Sequence, residues 1–380
     1  FMFTAFAVSI SPVSVQADHG VFNPETFTLS NGMQEVVISN HRVPVVSHMV
    51  WYKAGSADEL PSKSGVAHLL EHLMFKGTKK LPSGEFSKTV ARVGGSENAF
   101  TSLDYTGYYQ NVAVEHLEAM MRMESDRMKN LVFDPKEVET ERLVVLEERS
   151  QRTDNNPRAI LREHVSSALF MNHPYRRPII GWEHEIRTLS IDDLQDFYNK
   201  WYTPANAILV VAGDITLTDL KPMAEQTYGK IPASVLIQRV RATEPPQKAS
   251  RQVILRDTRV RQASWSRSFL APSRVTSISD GAGKEHSYAL EILSAVIGGS
   301  TTSQIYRSLV IEQKLAVSAG AGYSSDPQGP SRFTFYASPS LGVSIGTLKK
   351  AIDKEIATLL RDGVSKVDIA RIKKSMFAEA

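Results

Sequence analysis

Two histidines and a glutamate lie within five residues of each other in the stretch His68-Leu69-Leu70-Glu71-His72. Apolar residues recur around them at three- and four-residue spacing, which predicts a helix with one buried face within the run 65–75. Residues four apart lie above one another on a helix, so His68 and His72 can hold one Zn²⁺ together. Glu71 lies on the neighbouring flank, where a carboxylate can take a proton from a metal-coordinated water without occupying the metal.

An alternative interpretation is that these are ordinary helix residues. Burying Glu71 and His72 in an apolar helix costs free energy unless something pairs with them. The sequence therefore favours the metal interpretation, provided that a third ligand exists.

A carboxylate for that third position is available on a later predicted helix, which begins at Pro135. Glu141 and Glu148 lie seven residues apart on it, and hence on one face. Two histidines and one carboxylate leave a fourth zinc position open for water, which is typical of a catalytic site.

Periodicity and turn residues predict alternating groups of strands and helices. In the first part, strands are predicted near 27–29, 36–38, 45–52, 97–101, 105–112 and 207–212, with helices near 83–93, 116–130, 135–152, 157–170, 191–201 and 217–228. In the second, strands are predicted near 252–256, 262–270, 315–323 and 332–338, with helices near 285–297, 303–313 and 343–362 and from 366 onward.

The second series follows a proline-bearing linker and repeats the order of the first, which predicts an internal duplication. We assign 1–17 to a leader remnant, 18–240 to an N-terminal zinc-binding domain, 241–250 to the linker and 251–380 to a homologous domain. The first unit continues for about 90 residues past the point that matches Ala380, so the second unit is expected to be truncated.

Composition describes a globular protein long enough for two domains, with 42% hydrophobic residues and a net charge of +3. This charge is too small to indicate nucleic acid as a partner, and the basic stretch 251–261 is interpreted as a strand with one solvated face. Cysteine is absent, so any metal must be held by His and carboxylate groups. Residues 1–17 are uncharged and end Val15-Gln16-Ala17, which resembles a secretory signal and predicts export to a bacterial periplasm, with no membrane span.

The chain resembles the pitrilysin-type metallopeptidases in His68-x-x-Glu71-His72, in Glu148 at 76 residues beyond His72, and in the segment 94–101. The resemblance implies an α+β fold of two homologous α/β-sandwich domains, each a mostly antiparallel sheet covered by helices, forming half of a clamshell chamber. It also implies one zinc ion held by His68, His72 and Glu148, with Glu71 as general base.

The same resemblance implies that Glu141 orients a histidine ligand, and that Asn98 and Ala99 lie on an edge strand that pairs with the substrate backbone. The alternatives are a plain surface residue for Glu141 and a turn or strand-end residue for Asn98. Glu147 is interpreted as a solvated helix residue. The remaining histidines are interpreted as surface or core residues: 19, 41, 48, 116, 164, 173, 184 and 286.

One departure from the family pattern concerns the second half, where active single-chain members carry an Arg and, seven residues later, a Tyr. Val310 and Val317 occupy these positions here, and neither can donate a hydrogen bond to an oxyanion. Tyr306 and Arg307 are nearby but out of register. The sequence therefore predicts a heterodimer in which a homologous chain supplies the Arg and the Tyr.

The predicted function is zinc-dependent hydrolysis of peptides in a closed chamber. Two alternatives remain: a non-catalytic core subunit of the same fold, and a processing peptidase that trims one defined leader. Core subunits of this type have usually lost the metal motif, whereas every member of it is present here.

Overall fold

The computed structural model describes residues 22–278 and 283–379. These residues form an α+β fold with two separate sheets, which confirms the predicted fold class. The predicted leader, residues 1–17, lies outside the described residues.

The first sheet has six strands in the order β1-β2-β6-β3-β5-β4. Neighbouring strands pair antiparallel, except β2 and β6, which are parallel. Because β4 is last in this order, it is an edge strand that pairs with β5 alone. The strands are β1 (Glu25–Thr28), β2 (Gln34–Ser39), β3 (Val45–Tyr52), β4 (Ser96–Thr101), β5 (Thr106–Ala113) and β6 (Ala207–Gly213).

Eight helices accompany this sheet in the described chain. They are α1 (Val66–Leu73), α2 (Glu85–Arg92), α3 (Leu117–Asn130), α4 (Pro135–Arg149), α5 (Pro157–Leu169), α6 (Glu183–Ile186), α7 (Ile191–Trp201) and α8 (Leu217–Gln226). The start of α4 follows from its sequence, because Pro135 cannot donate a backbone hydrogen bond and the Asp134 side chain accepts one from the Lys136 N–H at 2.8 Å.

The core lies between one face of this sheet and the helices. Alternate residues of β3 are buried from Val46 to Tyr52, as the two-residue period of a strand requires. Leu69, Leu70 and Leu73 bury the apolar side of α1 in this core, which fixes the direction of the opposite side of the helix.

The second sheet has three antiparallel strands in the order β7-β9-β8. Its elements are β7 (Trp265–Ala271), α9 (Ser287–Gly298), α10 (Gln304–Tyr306), β8 (Ala316–Gly322), β9 (Ser331–Pro339), α11 (Ile345–Asp362) and α12 (Lys366–Glu379). The order of strand, two helices, two strands and two helices therefore occurs in both parts of the chain. The chosen domain boundaries stay a prediction.

One prediction of secondary structure is wrong. Residues 252–256, and the basic stretch 251–261 as a whole, form no strand. Ile254 and Leu255 are exposed and no described strand pairs with them, so neither burial nor backbone hydrogen bonding stabilises an extended conformation here. The predicted helix 303–313 is present as a continuous helical segment, which is α-helical in α10 and π-helical over Arg307–Glu312. None of the described helices combines the length and the apolar character needed to cross a bilayer.

Candidate metal centre

Buried contacts at the N-terminus of helix α1 fix the position of the helix. Glu59 accepts hydrogen bonds from the backbone N–H groups of Gly65 and Ala67, both at 3.0 Å, and so caps the helix N-terminus. Gly65 has a φ of +92°, and a Cβ at this position would lie 2.8 Å from the carbonyl oxygen of Ile180. Only glycine fits both requirements, so the start of α1 is set by close backbone packing.

Three side chains converge beyond this point, His68 and His72 from α1 and Glu148 from α4. Oε2 of Glu148 lies 3.4 Å from Nε2 of His72 and 3.8 Å from Nε2 of His68. One ligand atom of each residue lies within 4.8 Å of the other two, and no other such group of three occurs in 22–278 or 283–379. The structure therefore brings together the three residues that the sequence analysis proposed as metal ligands.

Glu141 lies behind His72 on the same face of α4 as Glu148. Its Oε2 is 3.1 Å from Nδ1 of His72, and its Oε1 is 2.7 Å from Nζ of Lys76. The carboxylate is therefore held between the histidine ring and a lysine one turn further along the chain, and Nε2 of His72 is left facing His68 and Glu148.

Glu71 is held from the sheet rather than from the helices. Thr101, the last residue of β4, donates a hydrogen bond from Oγ1 to Oε2 of Glu71 at 2.5 Å. No hydrogen bond to Oε1 of Glu71 occurs among the described contacts, so this oxygen is the one available to a water molecule.

The two carboxylates of α4 favour positive charge on the His72 ring that lies between them. Burial lowers the pKa of His68 to about 4, so this imidazole is neutral at neutral pH. Burial also acts to lower the pKa of His72, but hydrogen bonds to Glu141 and Glu148 outweigh it and raise this pKa to about 9. Burial raises the pKa of Glu71, partly offset by the hydrogen bond from Thr101.

The donor set fits zinc, because two imidazole nitrogens and one carboxylate oxygen are the ligands of many catalytic zinc sites. Arg152 supports this arrangement, since its Nη1 lies 2.6 Å from Oε1 of Glu148. This contact leaves the other carboxylate oxygen directed toward the histidines. Glu147, the neighbouring carboxylate, is exposed and accepts a hydrogen bond from Gln151.

Asn98 and Ala99 lie on β4, whose outer side is unpaired. Asn98 is exposed, and its Oδ1 accepts a hydrogen bond from the N–H of Ala99 at 2.9 Å. Val310 and Val317 belong to the second part of the chain, where Val310 packs against the second core and Val317 is exposed on β8. Neither valine has a side-chain group that can donate a hydrogen bond.

Thr101 and Lys76 also belong to the site, through their contacts with Glu71 and Glu141, although the sequence pattern alone gives them no role. Thr101 follows Ala99 by two residues, so strand alternation places both on one face, and this pattern was the available signal. Lys76 follows His72 by four residues, but its contact with Glu141 depends on how α4 packs against α1, which sequence spacing does not reveal.

Comparisons with known proteins place two family models on the chain. Residues 35–183 match the model described as insulinase (peptidase family M16). Residues 188–376 match the model described as the peptidase M16 inactive domain.

Similar proteins cover nearly the whole chain. The zinc protease PqqE of Helicobacter pylori is 30% identical over 358 residues, which are 93% of this chain and 79% of that protein. The crystal structure of a protease from Helicobacter pylori superposes with a TM-score of 0.84 at 30% identity, over 94% of this chain and 84% of the other. The periplasmic protease PqqL of Escherichia coli shares the fold, with a TM-score of 0.79 at 22% identity over 93% of this chain and 39% of PqqL.

Proposed function

Because this chain belongs to the insulinase family of peptidases, family M16, we propose that it is a zinc-dependent endopeptidase. The observation that carries the proposal is the convergence of His68, His72 and Glu148 beside Glu71. These three residues would hold the zinc ion. Zinc bound there would lower the pKa of a water molecule and polarise the scissile carbonyl.

Glu71 acts as general base and then as general acid. Its Oε1 accepts the proton of the attacking water, while Oε2 stays bonded to Thr101. The same carboxyl group returns the proton to the leaving amine nitrogen. Thr101 keeps the carboxylate in one orientation through both transfers, because its hydroxyl is fixed at the end of a paired strand.

The unpaired side of β4 binds the substrate by adding it as a further strand. Asn98 and Ala99 lie on this edge, in the same strand as Thr101. A peptide aligned along β4 is therefore held by the strand that also orients the general base.

We propose further that a homologous chain completes the chamber and supplies the Arg and Tyr that Val310 and Val317 replace here. The fold supports this, because residues of this chain superpose on the first half of PqqL with a TM-score of 0.78 over 76% of that half. We also propose that the protein acts in the periplasm, since residues 1–17 resemble a secretory signal. Fractionation of cells producing the tagged protein tests this, and retention in the cytoplasm would contradict it.

The function is tested with zinc titration and peptide cleavage on two variants. Glu71→Gln should bind zinc as the parent does and lose cleavage, whereas His72→Ala should lose the zinc. Glu147→Gln is the matched control, because it removes an exposed charge next to Glu148 and should change neither property. Undiminished cleavage by Glu71→Gln would remove Glu71 from the chemistry, and a parent protein without zinc affinity would contradict the proposal as a whole.

A further inference from the structure

Three parts of the chain meet at Asp104, in the turn between β4 and β5. Oη of Tyr175 donates to the Asp104 carboxylate, at 2.6 Å from Oδ2 and 2.7 Å from Oδ1. The loop between β8 and β9 reaches the same two residues. The Gln328 N–H donates to Oδ2 of Asp104 at 3.1 Å, and the Gly329 N–H donates to Oη of Tyr175 at 2.8 Å.

Arg241 lies in the segment of chain that connects the two sheets, and its side chain contacts the same Asp104 carboxylate. Its Nη1 donates to Asp104, and its Nη2 lies 2.9 Å from Oδ2 of Asp58. The side chains of Asp58, Asp104 and Arg241 are 2%, 6% and 12% exposed, so solvent screens these ion pairs little. We call Asp58, Asp104, Tyr175, Arg241 and the backbone of 328–329 the Asp104 junction.

The Asp104 junction is connected to β4. The turn 102–105 begins directly after Thr101, and its carbonyl groups pair with the loop that carries Asp58. The Ser56 N–H donates to Ser102 O at 3.0 Å, and the Ala57 N–H donates to Leu103 O at 2.9 Å.

The same loop is connected to α1. Glu59 follows Asp58 directly, and its carboxylate caps the N-terminus of the helix that carries Glu71. The loop 55–59 therefore links the junction both to the strand that binds the peptide in our proposal and to the helix that carries the base.

We propose that, through the Asp104 junction, the second part of the chain fixes the position of the β4 edge relative to α1, which makes Tyr175 and Arg241 positioning residues. This inference rests on the proposed function. An edge strand has backbone partners on one side only, so its position depends on contacts at its ends. The junction supplies such contacts directly after Thr101, and a planar guanidinium can bridge two carboxylates in one fixed geometry.

The test compares Tyr175→Phe and Arg241→Gln with a control, Tyr198→Phe. Tyr198 is also buried, and its hydroxyl also donates to one group (Arg127 O, 2.8 Å) and accepts a backbone N–H (Leu131, 3.2 Å), but it lies away from the junction. Hydrogen exchange of the full zinc-loaded chain is followed by mass spectrometry over 96–105, with β6 as the internal reference.

We expect exchange over 96–105 to be about tenfold faster in Tyr175→Phe and Arg241→Gln, with β6 unchanged and Tyr198→Phe within about twofold of the parent. For a quenched-fluorescence peptide cleaved by the active assembly, KM should rise about fivefold in Tyr175→Phe, and kcat should also fall because Thr101, which orients Glu71, lies directly before the junction. Zinc affinity should change less than about twofold, because the ligands lie on α1 and α4.

Exchange over 96–105 no faster than in Tyr198→Phe would overturn the inference, as would equal acceleration in β6 or loss of zinc in Tyr175→Phe. Should Arg241→Gln fail to fold, Tyr175→Phe alone decides. The exchange result does not depend on catalysis, so a failure of the junction is distinguishable from a failure of the peptidase proposal, which zinc titration and Glu71→Gln decide.

Discussion

Nδ1 of His72 lies 3.1 Å from Oε2 of Glu141, one of two glutamates seven residues apart on α4. The other, Glu148, lies 3.4 Å from the opposite ring nitrogen of the same histidine. One helix thus provides both a candidate ligand and a carboxylate that contacts a second candidate ligand. Helical periodicity explains this, because residues seven apart lie on one face two turns from each other.

Glu141→Gln should weaken zinc binding by about 10- to 100-fold, because carboxylates that hold a histidine ligand contribute on this scale. Isothermal titration or competition with a chelator measures the change. The control is Glu147→Gln on the same helix, which should bind zinc like the parent. Equal affinities of the Glu141 and Glu147 variants would show that Glu141 does not orient the ligand.

Thr101→Val should lower kcat by about 10- to 100-fold with zinc affinity unchanged, since the isosteric side chain removes only the hydroxyl that fixes Glu71. Thr101→Ser keeps a hydroxyl and should recover most of the turnover. Steady-state kinetics on one peptide, with zinc content measured for each variant, test this. A serine variant as slow as the valine variant would indicate that the methyl group, rather than the hydrogen bond, matters.

The purified chain alone should cleave peptides slowly, since loss of a preorganised oxyanion donor costs about 10² to 10³ in turnover. Adding a homologous chain that carries the Arg and Tyr should raise turnover by about 100-fold or more. In the control mixture the zinc-binding chain described here carries Glu71→Gln while the homologous chain is unchanged, and no activity should appear. Full activity of the chain by itself would contradict the heterodimer proposal.

Glu35 should make stability fall with rising pH. It is fully buried on β2, both carboxylate oxygens lack a hydrogen-bond partner among the described residues, and burial raises its pKa to about 9. The folded protein therefore keeps a proton that the unfolded chain releases above its ordinary pKa of 4.5. Between these two values the contribution to the free energy of unfolding falls by about 1.4 kcal/mol per pH unit.

Denaturant unfolding at pH 6 and pH 8 measures this slope in the parent and in Glu35→Gln. In Glu35→Gln the free energy of unfolding should lack this decrease, which amounts to about 3 kcal/mol over the two pH units. The variant should therefore be more stable than the parent at pH 8. Glu25→Gln, an exposed change on the neighbouring strand, is the control and should keep the parent slope. An unchanged slope in Glu35→Gln would mean that this carboxyl ionises normally in the folded state.

Several features of the site were predictable because they depend on short-range periodicity. The positions of His68, Glu71 and His72 on one helix follow from spacing within five residues, and the start of α4 follows from Asp134 and Pro135. The prediction of a strand at 252–256 is wrong because strand formation depends on residues far away in the sequence. A short run of apolar residues such as Val253–Leu255 forms a strand only when a neighbouring strand and a core are present, and neither is a local property.

The sequence by itself determined which side chains can bind a metal and which helix faces carry them, because these depend on residue type and helical repeat. Only the tertiary structure decided that Glu148 lies beside His68 and His72, that Thr101 reaches Glu71, and that a loop of the second part bonds to Asp104. These contacts join residues 30 to 224 positions apart. Distances of that kind are fixed by how helices pack on a sheet, since the repeat of a single element gives no information about its neighbour.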